Sequence, residues 1–290
     1  MADSTQQQGS YIFEAENAAE MARLINQDRI LTRCMGGLFP PQLDLTSVHD
    51  VLDIACGPGG WAMDVARAYP DKRVTAIDIS QLMTEFARFQ AMSQGLHNAH
   101  FVLMDALKPL DFPDNSFDFV NARFIVSFMP RHMWPQLVHE VFRIIRPGGI
   151  LRLTEFERYI ANTYAVDKMS ELFTKAMHKS GQSFAPSDEQ VAITPMLGRF
   201  LRDAEYQHIE KMAHVLDFSA GSEEHLSQYQ NMLVSGKLGQ PFLVKMGVVT
   251  QEEVESLYQQ VLEEMMSPEY CALHYFLSVW GEKPRQDGTR

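Results

Sequence analysis

The chain has 290 residues, of which 46% are hydrophobic and 21% charged, and its formal net charge is −12. This composition is typical of a globular protein, and the acidic balance argues against DNA or RNA as the main partner, because phosphate binding depends on clustered Lys and Arg. Three scattered cysteines indicate neither a disulfide framework nor a zinc site. No apolar run approaches the roughly 18 residues of a membrane span, and the polar start differs from a signal peptide, so we expect a cytoplasmic protein.

Residues 1–45 are expected to form helices that act as a lid. After the polar, Gln-rich residues 1–10, apolar side chains recur at helical spacing from Glu14 to Met35. Glycine and proline pairs between residues 36 and 41 then end the helical region. Helices in this position could simply pack against the domain that follows, or they could close over its ligand. Tyr11, just before the first helix, is a candidate to fold over a cofactor as part of such a lid.

The stretch from Val51 to Ala66 reads as a short apolar strand, a glycine-rich turn and the start of a helix. Gly57, Gly59 and Gly60 let the backbone turn tightly and approach a ligand without Cβ atoms in the way. A nucleotide-like cofactor is therefore expected to lie across this turn.

Four further strand patterns follow, separated by helical patterns, at residues 73–77, 101–104, 117–120 and 149–155. Strands that alternate with helices at this spacing predict right-handed βαβ units and a parallel sheet. The fold class that we predict is α/β, with a doubly wound, Rossmann-like, mostly parallel sheet and a helical cap, and residues 46–160 form its cofactor-binding core.

Residues 161–290 are expected to complete the sheet and to add inserted cap helices. Strand patterns lie within residues 206–218 and 271–280. Residues 188–202 look helical, although Pro195 should break or kink that helix. Thr250 begins a capping-box pattern and an amphipathic helix, which we interpret as a cap over the sheet edge.

Two cofactors compete for the glycine turn. Gly57, Gly59 and Ala62 satisfy the pattern G-x-G-x-x-A, and Asp78 follows about 20 residues later, as a dinucleotide-binding fold requires. The carboxylate of Asp53, near the end of the first strand, and a further acidic strand end favour S-adenosylmethionine (SAM) instead. A carboxylate beside the loop would repel a pyrophosphate but attract the α-amino group of SAM.

Five short motifs occur in order between Val48 and Glu155, namely LDIACGPGG, AIDIS, LMDA, FPDNSFDFV and FRIIRPGGIL. They resemble the consecutive motifs of class I SAM-dependent methyltransferases, especially the small-molecule group of ubiquinone and menaquinone biosynthesis. Five matches in the family's order make a specific signal. The resemblance implies SAM as the cofactor and a sheet of seven strands.

For the methionine part of SAM, the resemblance implies a cradle made by the backbone at Ala55, Gly57 and Gly59. Asp53 would lie near the α-amino group, directly or through water. Asn121, at the end of the fourth strand, would lie beside the sulfonium.

For the nucleoside part, the resemblance implies that Asp78 accepts hydrogen bonds from both ribose hydroxyls. Ile79 and Met83 would flank the adenine. Asp105 would accept from the adenine amino group, with Ala106 beside it. The ordinary alternative for each carboxylate is a solvated strand end or a helix N-cap.

The methyl acceptor is expected over the ends of the fourth and fifth strands, because ligands of open α/β sheets bind beyond the carboxyl ends of the strands. His132 and Glu155 are the candidate general bases there, although His132 could equally be a surface residue. The later histidines are expected to be surface or packing residues. NARF stands where enzymes that methylate the exocyclic amines of bases carry Asn-Pro-Pro-Tyr, and no acidic metal cluster is recognisable, so we predict neither nucleic acid nor metal at this site.

The predicted function is transfer of a methyl group from SAM to an O, N or C atom of a small, hydrophobic or aromatic molecule. Many methionines and phenylalanines suggest an adaptable apolar lining for such an acceptor. One alternative is a SAM-binding enzyme of another reaction type, such as cyclisation or decarboxylation. Another is a non-catalytic SAM-binding sensor or partner subunit.

Overall fold

The computed structural model describes residues 12–14 and 16–285. Its helices are α1 (Ala18–Cys34), α2 (Gly60–Ala68), α3 (Gln81–Ser93), α4 (Trp134–Ile144), α5 (Tyr164–Lys179), α6 (Thr194–Asp203), α7 (His225–Leu238), α8 (Gln240–Lys245) and α9 (Gln251–Met265). Its strands are β1 (Asp50–Ile54), β2 (Arg73–Asp78), β3 (Ala99–Leu103), β4 (Phe117–Arg123), β5 (Ile145–Phe156), β6 (Ile160–Ala161), β7 (Gln207–Asp217) and β8 (Ala272–Glu282). Tyr11 lies outside the described residues, so its expected place over a cofactor stays a prediction.

The described strands form one sheet in the order β3-β2-β1-β4-β5-β8-β6, and β7 also pairs with β8. Strands β1 to β5 are parallel to one another, whereas β8 is antiparallel to β5, β6 and β7. The predicted doubly wound α/β fold is confirmed. The predicted number of seven strands is wrong, since the described sheet has eight. The two-residue strand β6 is too short to produce a periodic pattern that could be recognised in the sequence.

Helices cover both faces of the parallel strands, as the alternation of side chains in β1 shows. Val51 and Leu52 are both fully buried, but they belong to different apolar clusters on opposite faces of the sheet. Parallel strands buried on both faces need apolar side chains in both directions, which explains the continuous apolar run in this part of the sequence.

Helix α1 begins after Asn17, whose side-chain oxygen accepts hydrogen bonds from two backbone N–H groups of the first turn. Ile30 and Leu31 of this helix and Met35, just after its end, form a small cluster with Leu216 of β7 and Phe276 of β8. This packing brings α1 across the edge of the sheet where β4 and β5 end.

Three local predictions can be compared with the structure. The predicted capping box is confirmed, because the Thr250 hydroxyl accepts from the Glu253 N–H and the Glu253 carboxylate accepts from the Thr250 N–H. The helix expected over residues 188–202 is wrong for residues 188–193, since α6 begins only at Thr194, and Pro195 lies in its first turn, where its missing N–H has no partner to lose. Strand β4 continues to Arg123, so Asn121 lies within the strand rather than at its end.

No helix in the described part of the chain is long and apolar enough to cross a membrane. The division of the chain at residues 45 and 160 into lid, core and completing segment stays a prediction.

Candidate functional site

A cavity of about 1100 Å³ lies beyond the carboxyl ends of β1, β2, β4 and β5, enclosed by residues of α1, α5, α7 and α8. Sites for single drug-sized ligands usually measure about 300–1000 Å³. The cavity is therefore large enough to hold a cofactor and a second small molecule together. The half that borders β1, β2 and the loop after β3 is called the donor half here, and the half that borders α5 is called the acceptor half.

Most of the cofactor-binding residues predicted from the sequence border the donor half. These are Asp53, Ala55, Gly57, Asp78, Ile79, Met83, Asp105 and Ala106. Four predicted residues do not border the cavity, namely Gly59, Asn121, His132 and Glu155. A Cβ atom at Gly59 would lie 2.4 Å from Cε1 of Phe101, and its φ is +80°, so this glycine is needed for the turn and for close packing against β3.

Asp78 joins the glycine turn to the end of β2. Its Oδ2 accepts from the Gly57 N–H at 2.8 Å, and its Oδ1 accepts from the Ser80 N–H at 2.9 Å. Burial raises the pKa of Asp78, and these two hydrogen bonds act in the opposite direction. Each carboxylate oxygen has a second lone pair, so Asp78 can accept two further hydrogen bonds from a ligand.

Asp53 belongs to a buried polar network that crosses three strands. Asn121 Nδ2 donates to Oδ1 of Asp53 at 2.7 Å, and Nε of Arg152 donates to Oδ1 of Asn121 at 2.8 Å. Burial raises the pKa of Asp53 to about 7, while the charge of Arg123 and the hydrogen bond from Asn121 partly oppose this shift. No hydrogen bond within the described residues reaches Oδ2 of Asp53, so this oxygen is available to a ligand. Arg152 is a member of this network that the sequence analysis missed, although a single arginine in an apolar strand pattern is a recognisable signal.

An ion pair connects α1 to the end of β4 above the donor half. Nη2 of Arg123 lies 2.5 Å from Oδ1 of Asp28, and Nη1 of Arg123 donates to Oγ1 of Thr32 at 3.2 Å. Asp28 and Arg123 both border the cavity. A Cβ atom at Gly60 would lie 2.4 Å from Oδ2 of Asp28, so the glycine allows α1 to approach the first turn of α2 closely.

The loop after β3 presents Asp105 to the donor half. Its Oδ1 accepts from the Leu107 N–H at 2.9 Å, and its Oδ2 lies 3.3 Å from the Lys108 ammonium. Met83 is 2% exposed, whereas Ile79 is 60% exposed. Met83 therefore lies in the inner wall of the donor half, and Ile79 lies at its opening.

The acceptor half has a mainly apolar wall. Val166, Met169, Phe173 and Met177 border the cavity from α5, at spacings of three or four residues that place them on one face of the helix. Further apolar side chains come from the turn after β4 and from α7 and α8, namely Phe128, Met232, Leu238 and Phe242. This composition supports the predicted adaptable apolar lining.

Four aromatic rings run from the end of β4 into the acceptor half. Ring centroids are 5.9 Å apart for Phe124 and Phe156, 5.3 Å for Phe156 and His274, and 4.4 Å for His274 and Tyr159. All four residues border the cavity. His274, one of the later histidines expected to be surface or packing residues, is 8% exposed, packs against these rings and also lies in the cavity wall.

Neither candidate general base from the sequence lies at the cavity. Glu155 is fully buried, and its Oε1 accepts from the N–H groups of Ile125 at 2.7 Å and Val126 at 3.3 Å, at the start of the short turn after β4. Burial raises the pKa of Glu155 well above its usual value. His132 is exposed in the loop before α4. Glu155 lies opposite Leu277 of β8 in the sheet, and its side chain points beneath the turn after β4 and does not border the cavity.

No group of three or more His, Cys, Asp or Glu side chains that could hold a metal ion occurs among residues 12–14 and 16–285.

Comparisons with known proteins identify a domain and a fold. Residues 51–149 match a family model described as a methyltransferase domain. The demethylmenaquinone methyltransferase of Listeria welshimeri is 28% identical over 176 residues, which cover 57% of this chain and 73% of the relative. The demethylmenaquinone methyltransferase of Geobacillus stearothermophilus is 35% identical over 100 residues, which cover 34% of this chain and 42% of the relative.

Two solved structures share the fold. Haemonchus contortus phosphoethanolamine N-methyltransferase 2 in complex with SAM matches with a TM-score of 0.52 and 16% identity, over 92% of this chain and 57% of that chain. The YcgJ protein of Bacillus subtilis matches with a TM-score of 0.51 and 17% identity, over 91% of this chain and 99% of that chain.

Proposed function

From the premise that residues 51–149 of this chain are a class I SAM-dependent methyltransferase domain, which transfers a methyl group from SAM to a small molecule, we propose that the acceptor is an apolar molecule held against α5. The observation that carries this proposal is that one cavity of about 1100 Å³ has carboxylates in one half and mainly apolar side chains in the other. Donor and acceptor would then share one enclosure.

In the donor half, we propose that Asp53 binds the α-amino group of SAM through its available Oδ2. The backbone at Ala55 and Gly57 then passes along the methionine part of SAM. Asn121 is proposed to act through Asp53, since it is buried and donates to that carboxylate. Gly59 shapes the turn. These assignments rest on the position of the residues at the cavity and on the resemblance of the LDIACGPGG motif.

For the nucleoside, Asp78 is proposed to accept from the two ribose hydroxyls with the lone pairs that its backbone contacts leave over. Asp105 is proposed to accept a hydrogen bond from the adenine amino group, with Ala106 beside it. Ile79 and Met83 are proposed to cover the two faces of the adenine. The support for these roles is that all five residues border the donor half.

SAM supplies an already activated methyl group when it is bound, so the protein needs mainly to orient the acceptor and to exclude water. The ion pair between Asp28 and Arg123 holds α1 over the donor half, and the apolar face of α5 encloses the other side. We propose that these two helices keep bulk water away from the methyl group.

Several observations support an apolar rather than a cationic acceptor. Glu157 borders the cavity at the end of β5, but its Oε2 accepts from the Ala192 N–H and its Oε1 from the N–H and hydroxyl of Thr194. This carboxylate therefore holds the start of α6 and is not a free counter-ion for an amine. The Listeria and Geobacillus relatives are named for demethylmenaquinone, an acceptor of apolar character.

We propose a cytoplasmic site of action, because all three cysteines are free thiols in this fold. We also propose that nucleic acid is not a partner, because the net charge of −12 opposes phosphate binding.

The experiment that tests the proposal is incubation of the protein with methyl-labelled SAM and a metabolite extract, followed by partition between water and an organic solvent. We expect label in a small molecule of the organic phase, and no transfer by the Asp53→Asn variant. Label that enters only water-soluble amines would contradict the apolar acceptor, and an absence of any labelled small molecule would contradict methyl transfer.

A further inference from the structure

Two polar side chains stand next to each other in the mainly apolar wall of the acceptor half. His274 lies near the start of β8, and Tyr159 lies in the turn between β5 and β6. Their rings meet edge to face, with centroids 4.4 Å apart and an interplanar angle of 74°. Both residues border the cavity, and none of the proposed roles so far uses them.

The tautomer of His274 follows from its one hydrogen bond. Its Nε2 lies 3.2 Å from the backbone carbonyl oxygen of Glu157. A carbonyl oxygen can only accept, so Nε2 carries the hydrogen and the neutral ring keeps a lone pair at Nδ1. Burial lowers the pKa of His274 to about 4, which favours this neutral form at physiological pH. No hydrogen bond within the described residues reaches Nδ1, so the acceptor half contains a hydrogen-bond acceptor without a partner.

Tyr159 offers the complementary group. Its ring packs against His274 and against Phe218, with ring centroids 5.6 Å apart for Tyr159 and Phe218. Its backbone N–H donates to Oγ of Ser170 at 3.1 Å. The phenolic hydroxyl makes no hydrogen bond within the part of the chain that the structure describes. Burial raises the pKa of Tyr159, so the hydroxyl keeps its proton and can donate.

The surroundings make this pair selective. Phe156, Val166 and Met169 border the same half of the cavity and offer no polar side-chain atom. A wholly apolar ligand would displace water from the histidine and the tyrosine and leave both polar groups unpaired, which is unfavourable in a low-dielectric site. A ligand with a hydroxyl group satisfies both, because a hydroxyl can donate to one partner and accept from another.

We propose that His274 and Tyr159 are specificity-determining residues that select an acceptor carrying a hydroxyl group on an apolar ring. The hydroxyl donates to Nδ1 of His274 and accepts from the hydroxyl of Tyr159. The ring plane lies along the aromatic wall that continues through Phe156 to Phe124 at the end of β4. This inference rests on the proposed function, since it assumes that the acceptor occupies the half of the cavity next to α5.

The test compares two probes that differ only in the hydroxyl, 1-naphthol and naphthalene. Binding of each to the full-length protein, saturated with the demethylated product S-adenosylhomocysteine (SAH), is measured by equilibrium dialysis. We expect the unaltered protein to bind 1-naphthol at least about tenfold more tightly than naphthalene, a factor that corresponds to about 1.4 kcal/mol.

Two variants remove the partners separately. His274→Gln can keep a donor toward the Glu157 carbonyl but lacks the lone pair at the Nδ1 position, and Tyr159→Phe removes one hydroxyl and keeps the ring. Both are expected to lower the preference for 1-naphthol to threefold or less, mainly by weakening naphthol binding. Melting followed by circular dichroism checks that each variant folds.

A matched control is available on the neighbouring strand. His214 of β7 stacks on Phe276 with centroids 5.0 Å apart, and its Nε2 lies 3.1 Å from Oγ of Ser278, but it does not border the cavity. His214→Gln is expected to keep the full preference.

The inference is overturned if the unaltered protein shows no preference for 1-naphthol, if neither His274→Gln nor Tyr159→Phe reduces it, or if His214→Gln abolishes it too. Binding of SAH and transfer of labelled methyl groups are measured on the same samples. Their failure would contradict the proposed function, whereas normal SAH binding with an unselective acceptor half would contradict only the inference.

Discussion

Acidification is expected to weaken SAM binding mainly through the carboxyl group of Asp53. Burial raises the pKa of this group to about 7, although Arg123 and Asn121 favour its ionised form. In the proposed complex the ionised carboxylate faces the α-amino group of SAM. Below pH 7 the free protein holds a proton on Asp53 that must leave before the ammonium group can bind, so affinity falls as the pH falls.

The size of the effect follows from the fraction of Asp53 that is ionised in the free protein. This fraction is about one tenth at one pH unit below the pKa and about one hundredth at two units, so Kd is expected to rise about tenfold per pH unit, or about 1.4 kcal/mol. The α-amino group of the ligand itself loses its proton near pH 7.7–8.0, roughly. Affinity should therefore be greatest between about pH 7 and pH 8.

Isothermal titration calorimetry with SAH, in buffers from about pH 5.5 to pH 8, measures this dependence. The matched variant is Asp53→Asn, whose amide oxygen can still accept from Nδ2 of Asn121, so the buried network keeps its hydrogen bond and loses only the charge. We expect this variant to bind weakly at every pH in the range, with a flat profile up to pH 7. An unchanged Kd for the unaltered protein between pH 6 and pH 7, or an equally steep slope in Asp53→Asn, would refute the assignment of Asp53 to the amino group.

Substitutions at three further residues test other parts of the site. The Asp78→Asn variant loses the negative charge, and its amide NH2 group cannot accept from one of the two backbone N–H groups that the carboxylate binds. We expect SAH binding, measured by calorimetry, to weaken by about ten- to a hundredfold. An unchanged Kd would remove Asp78 from the ribose site. Glu155→Gln keeps an oxygen that can accept from the turn after β4, so its stability and turnover should stay near those of the unaltered protein. Glu155→Ala removes this acceptor and should lower the free energy of unfolding by about 1–3 kcal/mol. Loss of turnover in a folded Glu155→Gln variant would support Glu155 as a general base after all. Asp28→Asn removes the charge that pairs with Arg123, so it should raise the KM for SAM several-fold, and it should also lower the melting temperature because the pair is largely buried. An unaltered KM would contradict the role of α1 as a lid.

The residues of the donor half could be predicted from the sequence because most of them lie at the carboxyl ends of strands. Asp53, Asp78 and Asp105 each stand at or just after the end of an apolar strand pattern, and the carboxyl ends of parallel strands meet at one edge of the sheet. Spacing alone therefore brings the three carboxylates to one cavity. The glycines between the first strand and its helix add the second part of the signal.

Strand ends were harder to predict where polar side chains pair inside the sheet. Asn121 and Arg152 are directly opposite each other in the register of β4 and β5, and their side chains are hydrogen bonded. This cross-strand pair satisfies two polar groups that would otherwise end a buried strand. A pattern that reads polarity as the end of a strand consequently stops at Val120, although β4 continues to Arg123.

The acceptor half could not be assembled from the sequence, because its walls come from segments with no fixed spacing. Tyr159 follows β5, Met169 is on α5, Phe242 is on α8 and His274 is on β8. A histidine in the aromatic pattern CALHYFLSVW is equally compatible with packing and with ligand contact until the sheet pairing is known. Here tertiary structure, rather than local chemistry, decides which face of β8 meets the cavity.

Helix α1 is the element that links the two halves. Asp28 ties it to Arg123 beside the donor half, and Nη1 of Arg23, whose guanidinium also pairs with Glu20, donates to Oδ1 of Asn231 on α7 at 2.9 Å. Because Arg23 and Glu20 are buried, this second tie exists only when α1 is packed against α7. We therefore expect docking of α1 to enclose both ligands in one step, so that weakening either tie should expose the methyl donor and the acceptor to water together.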